Sequence, residues 1–117
     1  MTALSVYTKR LTGFCNGDPG GWTAWPPHEH GAEREEVYCY IDMGDAFGLQ
    51  CVYDDFDNPD VYLVREGDFV SIPGGFHPNC GCPHGALRYA FVMVSTQEGV
   101  REYDDLRVQA IYGDKVV

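Results

Sequence analysis

The stretch of sequence that decides the fold is Pro26-Pro27-His28-Glu29-His30, which is followed by the acidic run 33–36 and the apolar segment 37–41. Residues two apart in an extended strand point to the same side, so His28 and His30 are able to direct both imidazoles to one point. The two prolines favour an extended backbone just before the pair. The acidic run then opens a second strand with a carboxylate. The pattern predicts neighbouring strands that bring imidazole and carboxylate groups together.

A third imidazole, His77, follows a glycine-rich turn in the segment GDFVSIPGGFHP, residues 67–78. Three histidines and one carboxylate from neighbouring strands form a complete set of ligands for a divalent metal. Neutral imidazole and carboxylate suit Zn, Mn, Fe, Ni or Co better than the soft metals that thiolates select. Three of the four histidines in the chain lie where strands and turns are expected to converge. We therefore predict a divalent-metal site, with zinc as the first ion to test.

The remaining sequence is typical of an all-β domain. Short apolar runs alternate with turns supplied by 14 Gly and 7 Pro, and this punctuation indicates strands rather than helices. The predicted strands cover residues 4–14, 36–42, 46–53, 61–65, 68–72, 86–95 and 106–112, with the histidine pair opening a further one. Residues 86–95 form the longest apolar run and are expected to be a buried central strand, while residues 106–112 are expected to close the sheet. Eight or nine short strands in one domain over residues 1–117 predict a double-sheet jelly roll or small barrel.

Charge and cysteine usage exclude several classes of partner. Acidic side chains outnumber basic ones 18 to 8, for a formal charge of −10, so nucleic acids and anionic membrane surfaces are not expected partners. No apolar run approaches the roughly twenty residues of a membrane span. Residues 1–12 lack the apolar core of a secretory signal. The five cysteines are odd in number and irregularly spaced, which favours free thiols and a cytoplasmic protein.

Two other clusters are interpreted as structural rather than functional. Cys80, Cys82 and His84 form a C-x-C-x-H pattern that lacks the partner half of a zinc knuckle. We interpret it as a turn with incidental thiols. The acidic loop at residues 54–60 does not have the spacing of a calcium loop, so we interpret it as a solvated connection.

These segments resemble the two motifs of the cupin superfamily. The first cupin motif contains HxH, a few further residues and then Glu, as in the stretch that follows Pro27. The second runs G(x)5PxG, a short gap and His. Its matches here are Gly67, Pro73, Gly75 and His77, with a gap one residue shorter than the commonest form.

Within the cupins, the chain resembles the 5-deoxy-glucuronate isomerase family of inositol catabolism. The segments that carry this resemblance are WPPHEH, EEVYCY, VREGDFVSIPGGFHP and RYAFVMV. They are also similar to the 4-deoxy-L-threo-5-hexosulose-uronate ketol-isomerases of pectin breakdown, whose closing segment is similar to REYDDLRVQAI. The resemblance spans roughly residues 20–110 and implies a cupin jelly roll.

The resemblance implies a specific ligand set and an activity. The ligands it implies are His28, His30, His77 and the glutamate that directly precedes the Val-Tyr pair, which is Glu36. Glu35 stays a rival, because adjacent strand residues face opposite sides and one of the two points inward. The implied reaction is an aldose–ketose isomerisation of a deoxy-uronate, in which a metal holds the carbonyl and a neighbouring hydroxyl.

The base that moves the proton between adjacent carbons is not identified by the sequence, and three residues are candidates. If Glu36 points inward, Tyr38 and Tyr40 share its face, where they either bind sugar oxygens or pack in the core. Glu35 is the third candidate. For the substrate carboxylate, the sequence offers Arg34, Arg65 and Arg88 as cations.

The chain also departs from these isomerases, which keeps other functions open. It corresponds only to their metal-binding C-terminal half, so we expect a homodimer that covers the exposed sheet face. Phe91 and Arg88 replace the Asn and Tyr that are usual in the glucuronate family. One alternative is another metal-dependent cupin enzyme, such as an oxygenase, lyase or cyclase. The other is a non-catalytic cupin that binds a metabolite.

Overall fold

A computed structural model of the chain describes residues 10–30, 34–95 and 106–113. The elements are β1 (Arg10–Asn16), β2 (Trp22–Thr23), β3 (His28–Glu29), β4 (Arg34–Tyr40), β5 (Phe47–Val52), β6 (Asp60–Arg65), β7 (Phe69–Ile72), β8 (Asn79–Gly81), β9 (Arg88–Ser95), β10 (Arg107–Val108) and a 3-10 helix (Ala110–Tyr112). Across these ranges no helix has the length and apolar character needed to cross a membrane.

The strands form two four-stranded antiparallel sheets and one two-stranded ribbon. The first sheet has the order β1-β9-β4-β7, the second has the order β2-β8-β5-β6, and the ribbon joins β10 to β3. Consecutive strands repeatedly cross from one sheet to the other, so the chain winds around a core that both sheets share. This arrangement confirms the all-β double-sheet fold that the sequence predicts.

Strand β4 shows how side-chain alternation builds the interior. Glu36, Tyr38 and Tyr40 are buried, whereas Glu35 is exposed and Cys39 is half-buried. Side chains two apart share a face, so the inward face of β4 carries one carboxylate followed by two phenols. The residues that pack around these phenols are Met43, Ala46, Val64, Val70, Ile72, Cys82, Leu87 and Tyr89.

Two predicted strands differ from the structure, and one observed strand lies where the sequence indicates a turn. Residues 106–112 do not close a main sheet, because β10 pairs with β3 alone and a 3-10 turn follows it. Strand β8 was not predicted, since its three residues lie among the prolines and glycines that indicated a turn. Strand β9 is central, between β1 and β4, but only one of its faces is buried, as Val92 remains 37% exposed. Residues 4–9 of the first predicted strand lie outside the described residues.

The outer face of the second sheet is apolar. The strand register places Trp22 opposite Cys80, Cys80 opposite Leu49, and Leu49 opposite Leu63, so these four residues form a row across all four strands. Trp22 is 54% exposed and Leu63 is 59% exposed. The row contains no charged residue. An uncharged row of this kind is unusual for an outer sheet face in a protein with a formal charge of −10.

Candidate metal centre

The histidine pair lies on a short strand that the preceding prolines anchor. Pro26 and Pro27 are buried, and the Trp25–Pro26 peptide is cis. The Nδ1 atom of His28 lies 2.9 Å from the carbonyl oxygen of Pro26. A carbonyl only accepts, so Nδ1 carries the proton and donates, and Nε2 keeps its lone pair. A histidine fixed in this tautomer is ready to bind a metal through Nε2.

His77 has the same arrangement at the end of the glycine-rich turn. Its Nδ1 donates to the carbonyl oxygen of Gly75 at 2.9 Å, so the neutral ring keeps its lone pair on Nε2. Gly75 has a φ of 89°, and a Cβ there would lie 3.0 Å from the carbonyl oxygen of Tyr53, so the turn requires glycine. The backbone carbonyl of His77 accepts a 2.9 Å hydrogen bond from the side-chain amide of Gln50, which is fully buried. His77 itself is 1% exposed.

Glu36 brings its carboxylate to these imidazoles. Its Oε1 lies 3.3 Å from Nε2 of His30 and 3.2 Å from Nε2 of His77, and Glu36 is 5% exposed. Glu35 lies on the opposite, solvent-exposed face of β4. The structure therefore brings Glu36, and not Glu35, to the histidines. Glu35, one of the three candidates for the base, therefore lies on the outer side of the barrel, away from the histidines.

The three imidazoles converge on one point. One ring nitrogen from each of His28, His30 and His77 lies within 4.8 Å of the other two, and the ring centroids are 4.9–5.3 Å apart. Among the described residues this is the one group of His, Cys, Asp and Glu side chains placed to hold a metal ion.

The lone-pair atoms of Glu36 and His77 are placed to bind a cation rather than to form a hydrogen bond with each other. Both Oε1 of Glu36 and Nε2 of His77 are buried without a hydrogen-bond partner among the described residues. In the neutral form of His77, whose proton is on Nδ1, the lone pair of Nε2 faces a lone pair of Oε1 across 3.2 Å. A buried pair of acceptors without a donor is unfavourable, and a divalent ion bound between them would satisfy both. The site can therefore hold a divalent metal.

The protonation states suit metal binding at neutral pH. Burial, and after it the proximity of His77, lowers the pKa of His28 to about 4. Burial alone would raise the pKa of Glu36, but its proximity to His30 and His77 outweighs this effect and holds the pKa at about 2. At pH 7 the imidazole of His28 is neutral and Glu36 is ionised, as ligands must be.

The two tyrosines of β4 have different environments. Tyr38 is 3% exposed, and its ring centroid lies 5.9 Å from that of His77. Burial, and then the charge of Glu36, raises the pKa of Tyr38 well above its usual value, so its phenol stays protonated. Tyr40 instead donates its hydroxyl proton to the side-chain oxygen of Gln50. Only Tyr38 therefore lies beside the metal ligands.

Two of the arginines suggested for the substrate carboxylate, Arg88 and Arg65, point to the surface rather than to this centre. Arg88 donates to Asp42 at 3.1 Å on the surface, and Arg65 is exposed on β6. The side chain of Arg34 lies outside the described residues. Phe91 is opposite Tyr38 in the strand register and packs against the core. An aromatic ring therefore lies beside Tyr38, at the position where the sequence analysis expects an Asn in the glucuronate family.

Cys80 of the C-x-C-x-H pattern lies in strand β8 rather than in the turn that the sequence interpretation expects. His84 pairs with Asp45 on the surface at 2.9 Å, while the buried Cys82 accepts a hydrogen bond from the backbone amide of Phe47. All five cysteines are free.

Sequence reasoning missed the residues that support the ligands. Gln50 and Asn79 are fully buried and hydrogen-bonded to each other at 2.9 Å, and Gln50 also holds the backbone of His77. No motif marks them. The one signal in the sequence was Gln50, an amide side chain on the inward face of the otherwise apolar strand β5.

Comparisons with known proteins find relatives named 5-deoxy-glucuronate isomerase. A 5-deoxy-glucuronate isomerase from Bacillus subtilis subsp. natto is 33% identical over 115 residues, which cover 90% of this chain and 39% of that protein. Another from Geobacillus kaustophilus is 37% identical over 83 residues, which cover 63% of this chain and 30% of that protein. The chain thus spans well under half the length of these relatives.

Solved structures show the same fold. An IolB-like protein from Salmonella typhimurium superposes with a TM-score of 0.70 at 24% identity, over 91% of this chain and 41% of that one. A cupin-like protein from Thermotoga maritima superposes with a TM-score of 0.52 at 16% identity, over 94% of this chain and 82% of that one. The fold is therefore a cupin. The model of the KduI/IolB family matches residues 11–111, almost the whole chain, and we conclude that this protein belongs to the KduI/IolB family.

Proposed function

We propose that this chain is a metal-dependent aldose–ketose isomerase that acts on a deoxy-uronate or a closely related sugar acid. The observation that carries the proposal is the convergence of three imidazoles and one buried carboxylate in a cupin barrel. The relatives of known name are 5-deoxy-glucuronate isomerases, and 5-deoxy-glucuronate is accordingly the first substrate to test.

We assign the ligand roles to His28, His30, Glu36 and His77. Three neutral nitrogens and one anionic oxygen suit zinc, with Mn, Fe, Ni and Co as the other ions to test. A divalent ion held there supplies a Lewis acid for a carbonyl and its neighbouring hydroxyl. The hydrogen bonds from His28 and His77 to backbone carbonyls fix the two rings, so this half of the ligand set is preorganised before any ion binds.

In this proposal Tyr38 stabilises the negative charge that develops on a substrate oxygen. Because its phenol stays protonated at neutral pH, it acts as a hydrogen-bond donor to a substrate oxygen rather than as a base. A donor fixed in a water-poor site stabilises negative charge that develops in the transition state. Tyr40, whose hydroxyl is bound to Gln50, has a structural role here.

We propose a single cupin domain over residues 1–117 that self-associates through the outer face of the second sheet. The uncharged row of Trp22, Cys80, Leu49 and Leu63 is self-complementary, and a two-fold dimer would bury it against its own copy. A Leu63→Lys variant is then expected to shift the mass measured by light scattering from dimer to monomer. A monomeric mass for the unaltered protein at all concentrations would remove this part of the proposal.

We place the protein in the cytoplasm because its thiols are unpaired.

The activity is tested by incubating the zinc-loaded protein with 5-deoxy-glucuronate and following the ketose product by NMR. We expect turnover by the unaltered protein and none by His77→Ala. Oxygen consumption by the Fe(II)-loaded protein would instead favour an oxygenase. Saturable binding of sugar acids without turnover across a panel of uronates would favour a metabolite-binding cupin.

A further inference from the structure

The strand that carries His28 belongs to neither main sheet. Among the described residues its one paired strand is β10, with Val108 opposite His28 and Arg107 opposite Glu29. The side chains of Arg107 and Glu29 also form an ion pair. Two of the three imidazoles of the metal centre therefore lie beside a strand that the C-terminal segment holds in place.

Gln109, the residue after β10, forms hydrogen bonds both to the segment before His28 and to Tyr53. Its backbone N–H donates to the carbonyl oxygen of Pro27 at 2.9 Å, directly before His28. Its side-chain oxygen accepts a hydrogen bond from the hydroxyl of Tyr53 at 2.7 Å. Tyr53 is 8% exposed, and the bond to Gln109 is partly buried.

Tyr53 in turn is joined to the turn that carries His77. The backbone N–H of Tyr53 donates to the carbonyl of Phe76 at 3.0 Å, and the N–H of Phe76 donates back at 2.8 Å. Phe76 immediately precedes His77. A continuous path of hydrogen bonds thus runs from the residue before His28, through Gln109, to the residue before His77.

We propose that Gln109 is a positioning residue of the metal centre, which sets the spacing between the His28–His30 strand and the His77 turn. The proposal rests on the metal site proposed above. The two histidine motifs come from segments that share no direct strand pairing among the described residues. Gln109 links them because it bonds directly to Pro27 and, through Tyr53, to the turn that carries His77. Changes to residues that orient metal ligands typically cost about 10- to 100-fold in metal affinity.

The test measures binding of Co(II) alone to the full chain, by its visible absorbance in competition with a chelator. Gln109→Leu removes the acceptor, and Tyr53→Phe removes the donor while keeping the ring. We expect each variant to bind Co(II) about 10- to 100-fold more weakly, and the double variant to be no weaker than either single one, since both lose the same bond. Gln109→Glu keeps an acceptor oxygen and is expected to stay within about threefold of the unaltered protein.

A stability control separates positioning from general loosening of the fold. Val64 is 1% exposed in the core and takes no part in this path, so Val64→Ala is expected to lower the melting temperature without weakening Co(II) binding. Unchanged Co(II) affinity in Gln109→Leu, or an equal loss in Val64→Ala, would overturn the positioning role while leaving the metal site intact. Failure of the unaltered protein to bind Co(II) would overturn the metal site itself.

Discussion

Oε1 of Glu36 lies 3.2 Å from Nε2 of His77, and in the neutral imidazole the proton is on the opposite nitrogen, where it is donated to Gly75. The two residues belong to different motifs and to different parts of the barrel, and they meet as two buried acceptors. Such a contact is unfavourable in the metal-free protein and favourable once a cation lies between the two atoms. The account of function depends on this relationship.

Replacing Glu36 is expected to abolish tight metal binding, whereas replacing its neighbour is not. In Glu36→Gln the anionic ligand becomes a neutral amide, and we expect the affinity for Zn(II) to fall by at least about 100-fold, beyond the range seen for residues that only orient ligands. Glu35→Gln makes the same chemical change on the exposed face of the same strand and serves as the matched control. Competition with a chromophoric chelator measures both. Equal losses in the two variants would contradict the assignment.

The stability of the metal-free protein is expected to depend on pH through His28. Its folded pKa of about 4 is below the value of 6.5 for the free side chain. Between these values the unfolded chain binds the proton and the folded protein does not. Stability is therefore complete above pH 6.5 and falls as the pH decreases toward 4, by about 3 kcal/mol in all. Urea unfolding between pH 4.5 and 7.5 measures this effect.

A His28→Gln variant provides the control for the pH experiment, because it removes the titrating group and should flatten the curve over that range. Glu36 contributes little to this curve, because the lowering of its pKa from 4.5 to about 2 changes stability only below about pH 4.5. An unchanged slope in His28→Gln would assign the effect to another group.

Loss of the Tyr38 hydroxyl is expected to slow the reaction without preventing metal binding. A single fixed donor to a developing oxyanion typically contributes about 100- to 1,000-fold to kcat. We expect Tyr38→Phe to lower kcat for 5-deoxy-glucuronate by about that factor while Zn(II) content stays the same. The matched variant Tyr40→Phe breaks the hydrogen bond to Gln50 and is expected to reduce stability by about 1–3 kcal/mol with little effect on kcat. The reverse pattern would exchange the roles of the two tyrosines.

A glycine in the second sheet tests the packing behind the site. A Cβ at Gly48 would lie 2.8 Å from the backbone oxygen of Cys80 and 2.4 Å from a methyl carbon of the fully buried Leu87. Gly48→Ala is therefore expected to destabilise the fold by about 1–3 kcal/mol, measured by urea unfolding. At Gly74 nothing lies within 4 Å of the added atom, so Gly74→Ala should change stability by less than about 0.5 kcal/mol. A stable Gly48→Ala variant would show that the two sheets are less tightly packed.

Much of the fold was predictable because its signals are local. The alternation of Glu36, Tyr38 and Tyr40 defines one face of β4, and the glycine at position 75 marks a turn that needs a positive φ. The HxH pair and His77 stand out because imidazoles are few in this sequence. The carboxylate needed the structure, since Glu35 and Glu36 are adjacent and only the strand register determines which one is buried.

Long-range contacts without a sequence signature were not predictable. The pairing of β10 with β3 involves two residues in each strand, too few for a periodic pattern. The hydrogen bond between Tyr53 and Gln109 likewise joins two residues that the sequence does not associate. These contacts support the histidine segments, so sequence reasoning located the candidate ligands and missed what holds them in position.

The most direct test of the central claim is the metal content of the purified protein and of His77→Ala after both have been loaded with Zn(II) and desalted. The account predicts one zinc ion per chain in the unaltered protein and a nearly complete loss in His77→Ala, because removing one imidazole breaks the ligand set. Circular dichroism should show that the variant keeps its β structure. A folded His77→Ala protein that retains a full complement of zinc would contradict the account.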